Sequence, residues 1–506
     1  MKKIYMLLTM GLFLMCLPAF GQKTVIVVEP DLEGEAGALN IAIDSEDNPG
    51  NTIFELRRGG TYVLNNKISS LDNTLHIRAE QGDGARPVIV GIDDSYKRHF
   101  EVTGHLVVEG LKFNQKALDS TVLVQAIRLA DNDLRLNVDD CVFEFVGKDF
   151  IRTSNGSKVY VTNSVFINGL VFEDPGFPSI INTLARPQDT LSIENTTFYN
   201  CDGPLFLRMA SVTNVLNFSH NTYYQSNYLN DVYFDLGMTV KAIVTNNIFY
   251  NFAYLAVAGS HDVLFTVDSI GVDDNLRSFD LSNNNWHTQS DISDVLLEFR
   301  SDEMYNIRTN IFADPDVLAA NPETPPNFLA FIENSQVDTT NFFSEAINFT
   351  SPPALNLEYW QYLVENNFDI AALSPPNQYA LEDLNDIDFG YDRNLRSATA
   401  ATDGLQLGDQ RWQLTGTSSI PLSHSIIPQV YPNPSQGILT IEYAGNEIGT
   451  LRLEVFSITG AQILSREFQA NDYFKETIDL THLENGMYLM RMKGEGYSET
   501  QKLILK

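Results

Sequence analysis

The chain has 506 residues, 43% hydrophobic and 11% aromatic, which excludes a disordered chain and leaves room for roughly two to four domains. With 33 Lys plus Arg against 65 Asp plus Glu, the formal net charge is −32. Such a surface repels nucleic acid and anionic lipid, so neither is expected as a bulk partner.

The first 21 residues read as a separate unit. Lys2 and Lys3 are followed by an apolar stretch from Ile4 to Leu17, and Ala19 and Gly21 put small residues at −3 and −1. This predicts a secretory signal peptide cut before Gln22. Leu14 and Met15 precede Cys16 where a lipoprotein signal wants small residues, which argues against lipidation. No later uncharged apolar run is long enough to span a bilayer as a helix. Cys141 and Cys201 remain after the leader. They are too few for a disulfide framework, and their spacing does not settle whether they pair.

From residue 108 onward one phrase recurs. An apolar residue is followed two positions on by a turn former, and three further by an aromatic: Val108/Gly110/Phe113, Val138/Asp140/Phe143, Val161/Asn163/Phe166, Ile193/Asn195/Phe198, Phe218/His220/Tyr223, Val244/Asn246/Phe249 and Leu281/Asn283/Trp286. Apolar residues alternate around these phrases, as in Leu134, Leu136 and Val138, so the segments are strands rather than helices. A strand, a polar turn, a second strand and a variable loop, repeated, describe the coils of a parallel β-helix. The alternative is a run of antiparallel hairpins with common turn residues. Stacked coils would align the Asn residues as a ladder and the aromatics as an inner stack. The predicted fold class is all-β: a right-handed parallel β-helix (22–412, with a C-terminal extension), then a small C-terminal β-sandwich.

Gly59, Gly60 and Tyr62, after the strand at 53–56 and before the repeats, resemble the right-handed β-helix proteins of the pectate-lyase-like superfamily. The chain is especially similar to secreted Bacteroidetes members, whose layout is that of chondroitinase B and alginate lyases. Residues 311–315 and 407–412 resemble phrases that close such domains. The resemblance spans residues 23 to 415 and implies action on, or binding of, a polysaccharide.

Residues 413–427 carry Thr, Ser and Pro without pattern and read as a linker. In 428–506, alternating runs such as Leu439/Ile441/Tyr443 and Leu451/Leu453/Val455 predict the small sandwich. Tyr431 to Pro434 with Gly437, Ser457 to Gly460, Leu483 to Tyr488 and the terminal Lys502 to Lys506 resemble the C-terminal sorting domain of type IX secretion substrates. The resemblance implies the type IX secretion machinery as a partner. It also implies export across the outer membrane, followed by release or surface attachment.

The sequence has no phosphate-cradling glycine loop, no His-Glu-x-x-His and no Cys-x-x-Cys. Asp386, Asp388 and Asp392 offer oxygen ligands that would suit calcium, but they lack the closing Glu of an EF-hand. A solvated acidic loop is the competing reading. Aligning the strands that follow each phrase brings Arg128, Arg152, Asn182, Arg208 and Asp235 into one column predicted to point outward. Two residues back, on the same predicted face, stand Ala126, Phe150, Ile180, Phe206 and Tyr233. Stacked guanidiniums repel unless something anionic lies among them, and aromatic faces hold sugar rings, so a linear acidic glycan fits this surface. Local carboxylates such as Asp149 and Asp235 could satisfy the same arginines instead. Elimination at a uronic acid needs a neutralised carboxylate and a base, and Arg152 and Lys148 are the candidates for those roles. The related lyases use a Lys and an Arg on such a face, but no local motif transfers those positions. Three readings stay open: a polysaccharide lyase or hydrolase, a non-catalytic glycan binder, and a structural or adhesive surface protein.

Overall fold

The computed structural model divides into two compact units, Met1–Gly416 and Thr417–Lys506. It describes residues 23–69, 73–169, 179–201, 206–207, 211–226, 234–236, 238–252, 265–266, 277–287, 337–338, 341–353 and 387–415 of the first. In the second it describes 429–431, 435, 437–444, 449–457, 462–470, 473–483, 486–494 and 497–505.

The first unit is a parallel β-solenoid. Its first sheet runs from Thr24–Val28 through strands such as Arg135–Asp139 and Ser157–Thr162 to Val337–Asp338, each strand paired in parallel with the next coil. A second sheet runs from Thr61–Leu64 to Phe342–Phe343. A third, shorter sheet holds Arg98–Val102, Gln125–Leu129, Asp149–Arg152, Ser179–Asn182 and Phe206–Leu207. Parallel pairing throughout rules out the hairpin alternative for the first unit's named strands.

The seven phrases form the corner between the first two sheets. Gly110, Asp140, Asn163, Asn195, His220, Asn246 and Asn283 all adopt positive φ, between 51° and 71°. One left-handed residue bends the chain tightly enough for Arg135–Asp139 in the first sheet to lead into Val142–Glu144 in the second, two residues on. Gly and Asn tolerate that conformation best, which is why they recur there. The predicted ladder is present in part, since Asn195 Nδ2 donates to Asn163 Oδ1 at 2.5 Å. A more regular ladder stands one residue later. Asn221, Asn247 and Asn284 are buried, and their Oδ1 atoms accept the amides of Thr196, Asn221 and Asn247 at 2.9 Å each. Their Nδ2 groups donate to the carbonyls of Ile193, Phe218 and Val244, so the buried amides are satisfied.

Three residues past the corner, the aromatics are in register from Phe113 to Trp286. Phe113, Phe143, Phe166 and Phe198 stack with centroids 4.7, 4.7 and 5.2 Å apart, and Tyr223 follows at 5.3 Å. The repeat distance of a sheet, ~4.8 Å, sets this spacing. Cys141 and Cys201 are buried and both remain thiols.

The outer face of the second sheet is covered by the chain's return. Phe349, Phe389 and Tyr391 pack over Tyr199, Tyr224 and Tyr250 in a second apolar cluster. The closing phrase 407–412 then runs back along the corner. Gln410 donates its amide to Asn195 Oδ1 at 2.5 Å, and Arg411 reaches the carbonyls of Asn163 and Ser164 at 2.5 and 2.8 Å. Trp412 Nε1 meets Thr197 Oγ1 at 2.7 Å, and Thr402 exchanges two hydrogen bonds with Asn246. Gly408 is required here: its φ is +80°, and a Cβ would stand 2.6 Å from Thr222 Oγ1.

The second unit is antiparallel. Ile438–Ala444 pairs with Gln429–Tyr431 and Tyr473–Asp479. Gly449–Ser457 pairs with Gln462–Ala470 and Gly486–Gly494, which in turn pairs with Tyr497–Leu505. Leu439, Ile441, Leu453, Val455, Ile478, Met490, Met492 and Leu503 fill its core.

Candidate functional site

The third sheet carries the predicted arginine column. Arg128 and Arg152 are in register on adjacent coils, and Asn182 continues the column. Glu101, one coil earlier, completes it at the other end. The next coil differs from the prediction. Leu207 pairs with Asn182 and Phe206 with Ile181, so Leu207 holds the register position predicted for Arg208. Asp235 pairs with Thr266 in a separate two-stranded sheet. Arg208 and Tyr233 lie outside the described residues, as do Asp386 and 311–315.

The predicted aromatic face is corrected as well. Phe150 is fully buried, edge-on to Phe143 and Phe166 with centroids 6.2 and 5.2 Å away. Ile151 beside it is also fully buried, as are His99, Ala126 and Phe100 on the neighbouring coils. The strands of the third sheet begin where the chain turns a corner, and two successive side chains point inward there. Simple alternation therefore fails at this position.

Asp149 is fully buried at the centre of the sheet. Its carboxylate accepts from Gln125 Nε2 and Ser179 Oγ at 3.1 Å, from Asn182 Nδ2 and Arg152 Nε at 2.8 Å, and from Arg152 Nη2. A buried carboxylate with this many donors is compensated, and Arg152 is held rigidly at its side. Asn182 is buried and spent on the same carboxylate.

Arg128 belongs to a second group. Glu101 Oε1 takes Arg98 at 2.8 Å and Arg128 at 3.3 Å, while its Oε2 takes Lys67. Burial pushes the Glu101 carboxyl up, but the Lys67 hydrogen bond and the charges of Arg98, Lys67 and Arg128 outweigh it and hold it below the usual range. Burial, with repulsion from Arg128 and Arg152, pulls the Arg98 guanidinium below its ordinary value against the pull of Glu101. The three guanidiniums therefore sense one another. On this face Lys67, Arg98, Arg128 and Arg152 share two carboxylates, Glu101 and Asp149. Half-buried Lys148 directly precedes Asp149.

Glu101, Arg98 and Lys67 were not among the predicted residues. Their signal was present: Arg98 to Glu101 has the spacing of Gln125 to Arg128, one coil before the first aligned strand.

Two of the calcium candidates accept local donors. Asp388 Oδ1 accepts the Gly390 amide at 2.7 Å, and Asp392 Oδ1 accepts from Asn394. Among the described residues, no group of His, Cys, Asp and Glu is arranged to hold a metal ion, and no helix is long and apolar enough to cross a membrane.

A search of curated proteins found no match to the chain. Residues 429–506 match the family model described as the secretion system C-terminal sorting domain, and such a tail implies export through the type IX system to the cell surface or the medium.

Proposed function

We propose that this exported β-solenoid binds an acidic polysaccharide along its third sheet, with Arg128 and Arg152 as the central contacts. The supporting observation is the group of four cations around two carboxylates, on a chain of net charge −32. A local excess of guanidinium on an acidic protein selects anions by charge and by the paired donors that fit carboxylate and sulfate. The finer reading is β-elimination at a uronic acid, with Arg152 neutralising the carboxylate and Lys148 removing the proton.

Arg128→Ala should weaken binding of polygalacturonate or chondroitin sulfate about ten-fold, the scale of one charge-assisted contact. Added salt should weaken it further. Arg452→Ala, in the second unit, should leave affinity unchanged. Equal affinity of the Arg128 variant and the parent, by calorimetry, would sink the assignment. For the finer reading, unsaturated products absorbing in the ultraviolet should form with the parent and not with Lys148→Ala.

Export has its own test. Deleting 429–506 should leave the solenoid folded inside the producing cell. Unchanged amounts at the surface or in the medium would count against an address in that unit.

A further inference from the structure

The first strand of the solenoid, Thr24–Val28, pairs only with Thr52–Leu56 among the described residues, so its other edge has no described neighbour. Edge strands are ordinarily blunted by Pro, a bulge, an inward charge or a cover. The corresponding end of the second sheet is covered. Ahead of the helix Ala38–Asp44, Asp31 Oδ2 accepts the Val63 amide and Gly37 donates its amide to the Val63 carbonyl, both at 2.8 Å. Among the described residues, Thr24–Val28 has no such device. It is β-branched throughout, and Val25 and Val27 are 45% and 41% exposed. The helix that packs beside it buries Leu39 and Ile43 but leaves Ile41 64% exposed.

The residues around this edge are complementary to themselves. They read Lys23, Thr24, Val25, Ile26, Val27, Val28, Glu29. A two-fold axis through Ile26 sets Val25 against Val27 and Thr24 against Val28. It also sets Lys23 against Glu29, once on each side of the axis. A parallel pairing in the same register would set Lys23 against Lys23. The Glu29 side chain is 71% exposed, and its ion pair with Arg57 at 3.1 Å does not cover it.

We propose that a second copy of this chain pairs antiparallel along Thr24–Val28, continuing the first sheet through a two-fold axis, with Ile41 at the rim of the contact. An isologous strand pair satisfies both unpaired edges at once and removes two exposed valines of each chain from water. One short strand and one helix residue make a small contact, so the association is concentration-dependent.

Sedimentation or light scattering of the purified protein over a concentration series should show the mass doubling. Val27→Lys changes an exposed side chain, so the fold should persist by circular dichroism while the protein stays monomeric. Lys23→Glu should raise the dissociation constant about ten-fold, because it replaces two attractive pairs with repulsive ones. Adding Glu29→Lys to that variant should restore the affinity to within about three-fold of the parent, since the pairs re-form with exchanged signs. A parent protein monomeric at every concentration would overturn the proposal. So would a dimer indifferent to Val27→Lys, or a double reversal no tighter than the single one.

Discussion

Replacing His99 with Leu should stabilise the solenoid, and should do so most in mild acid. The His99 ring is fully buried against Phe113, with centroids 6.1 Å apart, and neither ring nitrogen reaches a partner at hydrogen-bond geometry. Burial pushes its pKa from 6.5 down to about 3, and the backbone of Asn114, which favours the charged ring, does not offset this. The unfolded chain therefore binds a proton as pH falls through 6.5, and the folded chain does not until about pH 3. Stability from a neutral His99 is full above pH 6.5 and is lost progressively below it. The slope in that window approaches ~1.4 kcal/mol per pH unit. Denaturant titrations should show the Leu variant losing less stability than the parent between neutral pH and about pH 4. Parallel acid limbs for the two proteins would show that His99 is already protonated in the fold.

Phe198→Ala should cost ~3–5 kcal/mol. The ring is fully buried in the middle of the aromatic row, against Phe166 at 5.2 Å, Tyr223 at 5.3 Å and Phe218 at 5.9 Å. Its backbone is fixed by ladders on both sides, through Phe166 and Tyr223, so the coil cannot collapse into the space left behind. Chemical denaturation of the two proteins measures the difference. A loss below about 1 kcal/mol would mean that neighbouring coils refill the site, contrary to the rigid packing argued above.

The first corner of each coil was legible in the sequence because geometry repeats its demands there. A left-handed residue selects Gly or Asn, and an inner position three residues on selects a large ring. The phrase in fact runs further than the predicted pattern. Asn168, Asn200 and Asn251, two residues past their aromatics, have φ of 54° to 56° and mark a second corner. The inner ladder of Asn221, Asn247 and Asn284 was also unread, because adjacent Asn residues do not announce which one points inward.

The third sheet was legible only in part. Arg128 and Arg152 align because each follows two buried apolar residues on its strand, Ala126 and Ile127 or Phe150 and Ile151. On the next coil Leu207 rather than Arg208 is in register with Asn182, and a register shift of one residue is invisible to an alignment of apolar runs. Phe150 was misplaced for a different reason, since alternation does not hold where a strand begins on a bend. The pairing of Arg152 with Asp149 joins residues three apart on one strand, so the sequence could name the partner without deciding between it and a ligand.

The closing segment alters how the solenoid can come apart. Stacked coils normally behave as a chain of nearest-neighbour contacts, able to fray from either end. Arg411 instead bonds to Asn163 across 248 positions, and Gln410 to Asn195 across 215. The last residues of the unit thus clasp coils that formed long before them. Fraying at one terminus cannot spread past the clasp without breaking it, so several coils must melt as one block. During synthesis the same clasp is missing until residue 412 has emerged, so the block remains loose while the chain is being made.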